Sequence, residues 1–285
     1  MPFINPKTDF AFKKIFGSPK SQPVLISFLN GLLYDGSDTI QSLDILNPYQ
    51  APRIKGMKDT YLDVKAQLAD GTSVIIEMQV LNVEGFEKRV LYNAAKTYST
   101  QLAPGEDYTL LTPVIALTIT AFMMFEALAS YRTCFVLKEI DVLLDYPSAD
   151  LELVFIELPK FERSLTQLAS LMEQWLYFLK NAKQLRAIPE QMAAVPALRQ
   201  AFEFAKQTIL SPDELEDLEH REIFIHDQRN AMIRAMNQGI EQGIEQGRVV
   251  ERQQIALQMK AAGMNIAQIA SITGLSSEAI ETLET

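Results

Sequence analysis

The chain has 285 residues, 48% of them hydrophobic, with one cysteine and a formal net charge of −10. A single cysteine excludes an internal disulfide, and the composition is that of a soluble, cytoplasmic protein with enough apolar residues for a sizeable core. The opening MPFINPKTDF lacks an apolar signal region, and the most apolar stretch, 114–125, is too short and too interrupted by threonine to span a membrane. Bulk acidity runs against nucleic-acid binding, yet it is unevenly spread. Residues 1–100 carry 11 Lys+Arg against 10 Asp+Glu, residues 101–220 carry 9 against 18, and residues 221–285 carry 6 against 8. Any DNA contact is therefore expected in the first hundred residues.

In chain order, the pattern first predicts a helix capped by Thr8, with Phe10, Phe12, Ile15 and Phe16 apolar, ended by Gly17-Ser18-Pro19. Asp9, Lys13 and Lys14 lie at helical spacing on it. A second helix over 22–34 and a strand at 43–46 follow. Residues 59–80 then alternate polar and apolar in two runs, the period of half-buried strands. Between the runs, Ala69-Asp70-Gly71 is a three-residue hairpin loop with glycine in place for a left-handed residue. If Leu68 pairs with Thr72, Lys65 lies opposite Ile75 and Asp63 directly opposite Glu77. Opposed side chains on an antiparallel pair are about 4.5–5.5 Å apart at Cβ, so these carboxylates repel unless water solvates them or a divalent cation lies between them. The residues alone allow either.

Residues 84–103 predict a helix with a buried stripe of Phe86, Val90, Ala94 and Tyr98 and a second stripe of Arg89, Asn93, Lys96 and Thr100. The second stripe is either a solvated face or a phosphate-binding one, with arginine offering its bidentate fork. Strands are expected at 112–120, 133–137 and 151–158, the first buried on both faces, with Cys134 as a small buried residue. Beyond 159 the pattern is helical, over 163–181, 197–210 and 212–225, with Trp175 as a packing residue. From about Ile225 a long helix carries GIEQGIEQGR, which places Gly239, Gly243 and Gly247 four apart. Each glycine costs a helix about 1 kcal/mol relative to alanine, so the stripe is either a close-packing surface for self-association or a flexible connector. The end has helix-turn-helix spacing, but its last helix carries Glu278, Glu281 and Glu284 and no basic residue, which suits a packing module better than a DNA reader.

An acid followed by a strand ending in Glu-x-Gln resembles the core of the PD-(D/E)XK nucleases. More narrowly, TDFAFKKIFG at 8–17, LISFLNGLL at 25–33, LDV at 62–64, IEMQ at 76–79 and RVLYNAAKTYSTQL at 89–102 resemble the Rpn family of recombination-promoting nucleases and transposases. The resemblance covers about the first 120 residues and implies a restriction-endonuclease-like α/β fold, a mixed sheet flanked by helices, followed by an α-helical C-terminal region. Together with the residue pattern beyond it, this divides the chain into a nuclease-like core at 1–159, a helical extension at 160–225 and the long helix with its helix-turn-helix-like end at 226–285. The implied activity is magnesium-dependent DNA endonuclease cleavage, with manganese as a substitute, in recombination or a mobile element. It implies that Asp63, Glu77 and the Met78 carbonyl hold the metal, with Asp9 and Lys13 in support. Gln79 stands where the superfamily most often has lysine, and Lys65 is the expected substitute cation. Arg89, Asn93 and Lys96 are the expected phosphate contacts. Partners are then DNA, no membrane, and further copies of the chain through the C-terminal helices. Gln79 and the acidic surface keep a non-catalytic nuclease-fold regulator, or an assembly protein working through its tail, as the alternatives.

Overall fold

The structure, a computed structural model, describes residues 3–50 and 60–283; Asp59, where the hairpin stretch begins, and Glu284 lie outside them. The chain divides into two compact units, Met1–Ile225 and His226–Thr285. The first opens with α1 (Asp9–Phe16) and α2 (Gln22–Leu33). Thr8 caps α1 by accepting from the Ala11 N–H, as its sequence suggests. Then come β1 (Leu43–Leu46), β2 (Tyr49–Gln50), β3 (Thr60–Tyr61), β4 (Val64–Leu68) and β5 (Ser73–Gln79). Helix α3 (Phe86–Ser99) follows, then β6 (Val114–Thr120), β7 (Arg132–Phe135) and β8 (Leu151–Glu157), and last α4 (Leu171–Asn181), α5 (Glu190–Ala193) and α6 (Pro196–Phe204).

Six strands form one mixed sheet in the order β1-β4-β5-β6-β8-β7, parallel across β5, β6 and β8 and antiparallel elsewhere; β2 and β3 pair as a separate ribbon. The hairpin register is the expected one. Leu68 N–H donates to Thr72 O at 2.9 Å, Lys65 pairs with Ile75, and Gly71 turns the loop at φ +90°. Because side chains alternate along a strand, the sheet separates two cores. Val64, Ala66, Val74, Ile76 and Met78 face the layer holding α1, α2, α4 and α6, centred on Phe16, Phe28 and Trp175. Ile75, Ala116 and Phe155 face α3 through Phe86, Val90 and Ala94. Glu77 and Gln79 have the parity of Ile75, so they belong to the α3 side; Asp63 precedes β4, and Asp9 and Lys13 of α1 are its neighbours. All seven residues of β6 are buried, as a central strand covered on both faces requires.

Several boundaries differ from the sequence pattern. The stretch 163–181 becomes a 3-10 turn at Leu165–Gln167 and then α4, because Ser164 and Ser170 each offer a cap that restarts the chain. The helix expected over 197–210 ends at Phe204, after which Lys206 bridges to Phe3. Cys134 is exposed rather than buried, because β7 is the last strand of the sheet, with no neighbour beyond it among the described residues. No break separates 212–225 from the tail: α7 (Pro212–Ala261) is one helix of 50 residues, since nothing between them interrupts a run of helix-compatible residues. No described helix is long and apolar enough to cross a membrane.

In the second unit, α8 (Ile266–Thr273) and α9 (Ser277–Glu281) join at Gly274, φ +71°, and Ser276 caps α9. Ala256, Ile269 and Ile280 form a small core with the end of α7, and Lys260 Nζ donates to the Ile280, Glu281 and Leu283 carbonyls. Around Gly239, Gly243 and Gly247 there is open space where a Cβ would be.

Candidate active site

A cleft of about 800 Å³ opens where β5 ends and α3 begins. Asp9, Asp63, Glu77, Met78, Gln79, Arg89 and Asn93 all line it. Asp63 precedes β4 by one residue, and its Oδ2 accepts the Met78 N–H at 2.7 Å. An extended residue sends its N–H and C=O to the same strand edge, so the Met78 carbonyl lies on the edge facing Asp63. Glu77 Oε1 accepts from Asn93 Nδ2 at 2.5 Å, and Arg89 lies 3.7 Å from Glu77 Oε2. Gln79 is held at both ends of its amide. Its Nε2 donates to Leu81 O at 2.8 Å, and its Oε1 accepts from Arg89 at 2.8 Å. Lys13 stands 2.5 Å from Asp9 and 3.7 Å from Asp63.

Both hairpin carboxylates are desolvated, with side chains 16% and 12% exposed for Asp63 and Glu77. Burial pushes Asp63 up to about 7, and its hydrogen bond with Asp9 pushes the same way, against the Met78 N–H and Lys13. Burial also raises Glu77, opposed by Asn93 and Arg89. For Asp9, burial pulls upward, but the hydrogen bond with Asp63 together with Lys13 and Arg221 holds it below the usual carboxylate value. The protein thus brings two carboxylates together without enough positive charge of its own to keep both ionised at low cost. Asn93 Oδ1 is a buried side-chain oxygen with no hydrogen-bond partner among the described residues. Carboxylate, carbonyl and amide oxygens are hard donors, the set suited to a magnesium-type ion, and they fit one in chemistry. Among the described residues no group of three or more His, Cys, Asp or Glu forms a metal cage.

Two expected site residues lie elsewhere. Lys65 was expected on the strand face of Asp63, but Asp63 lies outside β4, and Lys65 lines a separate pocket with Thr97, Thr100 and Gln101. Two residues along a strand is about 7 Å, enough to bring it to the C-terminal end of α3, where helix carbonyls attract a cation. Burial there lowers its pKa. Lys96 is 3% exposed, and its Nζ donates to Gln50 O at 2.9 Å and Thr60 Oγ1 at 3.2 Å. It ties the β2–β3 ribbon to α3 and presents no charge to the cleft. The sequence reading missed Arg221, which reaches Asp9 from α7 across a separation of 212 residues. No local pattern signals a pairing over that distance.

A family model described as PD-(D/E)XK nuclease family transposase matches residues 6–235. No curated protein and no solved structure matches the chain.

Proposed function

The chain belongs to the PD-(D/E)XK nuclease family transposases, and from that premise we propose that it is a divalent-metal-dependent DNA endonuclease acting in recombination or in a mobile element. The observation that carries this reading is the pair of desolvated carboxylates, Asp63 and Glu77, in one cleft with Arg89 and Lys13 each 3.7 Å from one of them. Asp63, Glu77 and the Met78 carbonyl are the residues that would hold magnesium, or manganese in its place. The chemistry such an ion supplies when bound is neutralisation of charge on the scissile phosphate and a lowered pKa for water.

The chain's own residues do the rest. Asn93 orients Glu77 by donating to one of its oxygens, and the Met78 N–H fixes the Asp63 rotamer. Gln79 cannot supply the positive charge that lysine gives in most of the superfamily. Its amide instead holds the Arg89 guanidinium beside Glu77, where a fixed cation stabilises negative charge developing on a phosphate. Phe86 lies under that guanidinium at 5.0 Å and helps fix it. Arg89 therefore answers the objection that Gln79 raises to catalysis. Lys13, set between Asp9 and Asp63, is the second cation within reach. In the second unit, the open glycine stripe with exposed Ile240 and Ile244 supports association of copies through the tail.

Incubation of the purified chain with supercoiled plasmid tests this reading. Nicked or linear product should form with Mg²⁺ or Mn²⁺ and vanish with EDTA. A protein that binds DNA without cutting it under any divalent ion would be a nuclease-fold binder instead.

A further inference from the structure

Residues 131–146 form an ordered arm that leaves the edge of the sheet. Strand β7 ends at Phe135, and the chain continues into a hairpin in which Glu139 N–H donates to Leu144 O at 2.8 Å and Tyr146 N–H to Leu137 O at 3.0 Å. Lys138 bridges Asp145 and pairs with it at 2.5 Å, while Glu139 Oε2 accepts from Asp141 N–H at 3.0 Å and Val142 N–H at 2.7 Å. Those bonds define one conformation. In that conformation Leu137, Ile140, Val142, Leu143, Leu144 and Tyr146 are each more than half exposed, Ile140 at 86%. Leu143 sits at φ +57°, a left-handed backbone that leucine seldom adopts, and its side chain is in solvent. Within a single copy, neither that backbone nor that apolar surface gains anything.

The area and the shape choose the partner. Taking about 200 Å² for a fully open large residue, the six side chains offer on the order of 800 Å², beyond the largest apolar patch of an ordinary monomer and close to one side of a standard dimer interface. The arm carries Glu139, Asp141 and Asp145 against Lys138 and Arg132, and Arg132 turns back to the Leu33 carbonyl, so the exposed hairpin is acidic, which disfavours nucleic acid or an anionic membrane. It continues directly from β7, whose outer edge has no strand beside it among the described residues. A strand edge is complementary to itself when run antiparallel, and a twofold axis supplies that arrangement. Phe135 stacks with Phe125 and Phe155 at 5.0 and 5.7 Å, so the apolar surface is anchored to the core beneath it.

We propose that this arm and the edge of β7 are a dimerisation surface for a second copy of the chain, pairing about a twofold axis. It is independent of the tail and of the cleavage chemistry. The test places one cysteine on the arm of the full chain, Val142→Cys with Cys134→Ser, and treats it with a short bismaleimide at low micromolar protein. The expected result is a covalent dimer as the main product, reduced at least tenfold when Ile140→Asp and Leu144→Asp are added. Both added substitutions fall on exposed positions, and unchanged circular dichroism confirms that the variant folds. A cysteine that takes up monofunctional maleimide but yields no dimer overturns the proposal and leaves the face to a different protein. A dimer that survives the two aspartates overturns it equally.

Discussion

Arg89 donates to Gln79 Oε1 at 2.8 Å and stands 3.7 Å from Glu77, so Gln79 holds an arginine beside one of the two cleft carboxylates. If Arg89 supplies the site's cation, Arg89→Ala lowers the first-order nicking rate about 100-fold, as loss of a preorganised charge-stabilising group does. Arg89→Lys keeps part of that activity. Gln79→Ala, which only frees the guanidinium, costs about tenfold. Lys65→Ala stays within about twofold, because Lys65 lines another pocket. A larger loss at Lys65 than at Arg89 would reverse this assignment.

The raised Asp63 and Glu77 make the metal-free fold sensitive to pH. A carboxyl whose folded pKa lies above its unfolded one contributes stability that is fully present below the unfolded value, near 3.8 for Asp63, and lost as pH rises through the folded value, about 7. In EDTA, the thermal midpoint should therefore fall between pH 5 and pH 8. Asp63→Asn removes most of that slope and stabilises the metal-free chain at pH 8 by on the order of 1–3 kcal/mol. Added Mg²⁺ should raise the midpoint of the wild type at pH 8 and leave that of Asp63→Asn nearly unchanged. A flat wild-type profile would mean that the two carboxylates are not short of positive charge.

Arg221 acts on the site through Asp9. Removing it leaves Asp9 to Lys13 alone, and Lys13 also faces Asp63. Arg221→Ala should lower kcat about threefold to tenfold with little change in KM, and Arg221→Lys should restore it. Equal losses in the alanine and lysine variants, together with a lowered thermal midpoint, would mark Arg221 as a structural strut only.

Truncation after His226 separates assembly from DNA contact. Removing the tail should lower the particle mass in light scattering and leave the salt dependence of DNA affinity nearly unaltered, since each neutralised phosphate adds about one counterion to that slope. A flatter slope at unchanged mass would make the tail a DNA module, with Arg248, Arg252 and Lys260 as its contacts.

What the sequence could reveal followed from local periodicity. The hairpin was legible because alternation and the length of Ala69-Asp70-Gly71 together fix a register, which sets Lys65 against Ile75. Alternation along β4 does not carry on to Asp63, which lies outside the strand, and Lys65 meets the pocket at the end of α3 instead. Helical spacing grouped Lys96 with Arg89, but spacing does not report that Gln50 and Thr60 satisfy its ammonium from another ribbon. Cys134 looked like core because strand order, which puts β7 at the edge, is not written in the strand itself. Arg221 could not be found at all, since its partner lies 212 residues away.

The most direct measurement is the Mg²⁺-dependent nicking rate of Asp63→Asn and Glu77→Gln beside the wild type, with circular dichroism confirming that all three fold. Both substitutions keep shape and remove a charge, and Asp63 and Glu77 are the two proposed metal-holding carboxylates, so each should lower the rate by at least about 1,000-fold. Either pure, folded variant cutting plasmid at the wild-type rate would contradict the proposed active site in the cleft where β5 ends and α3 begins.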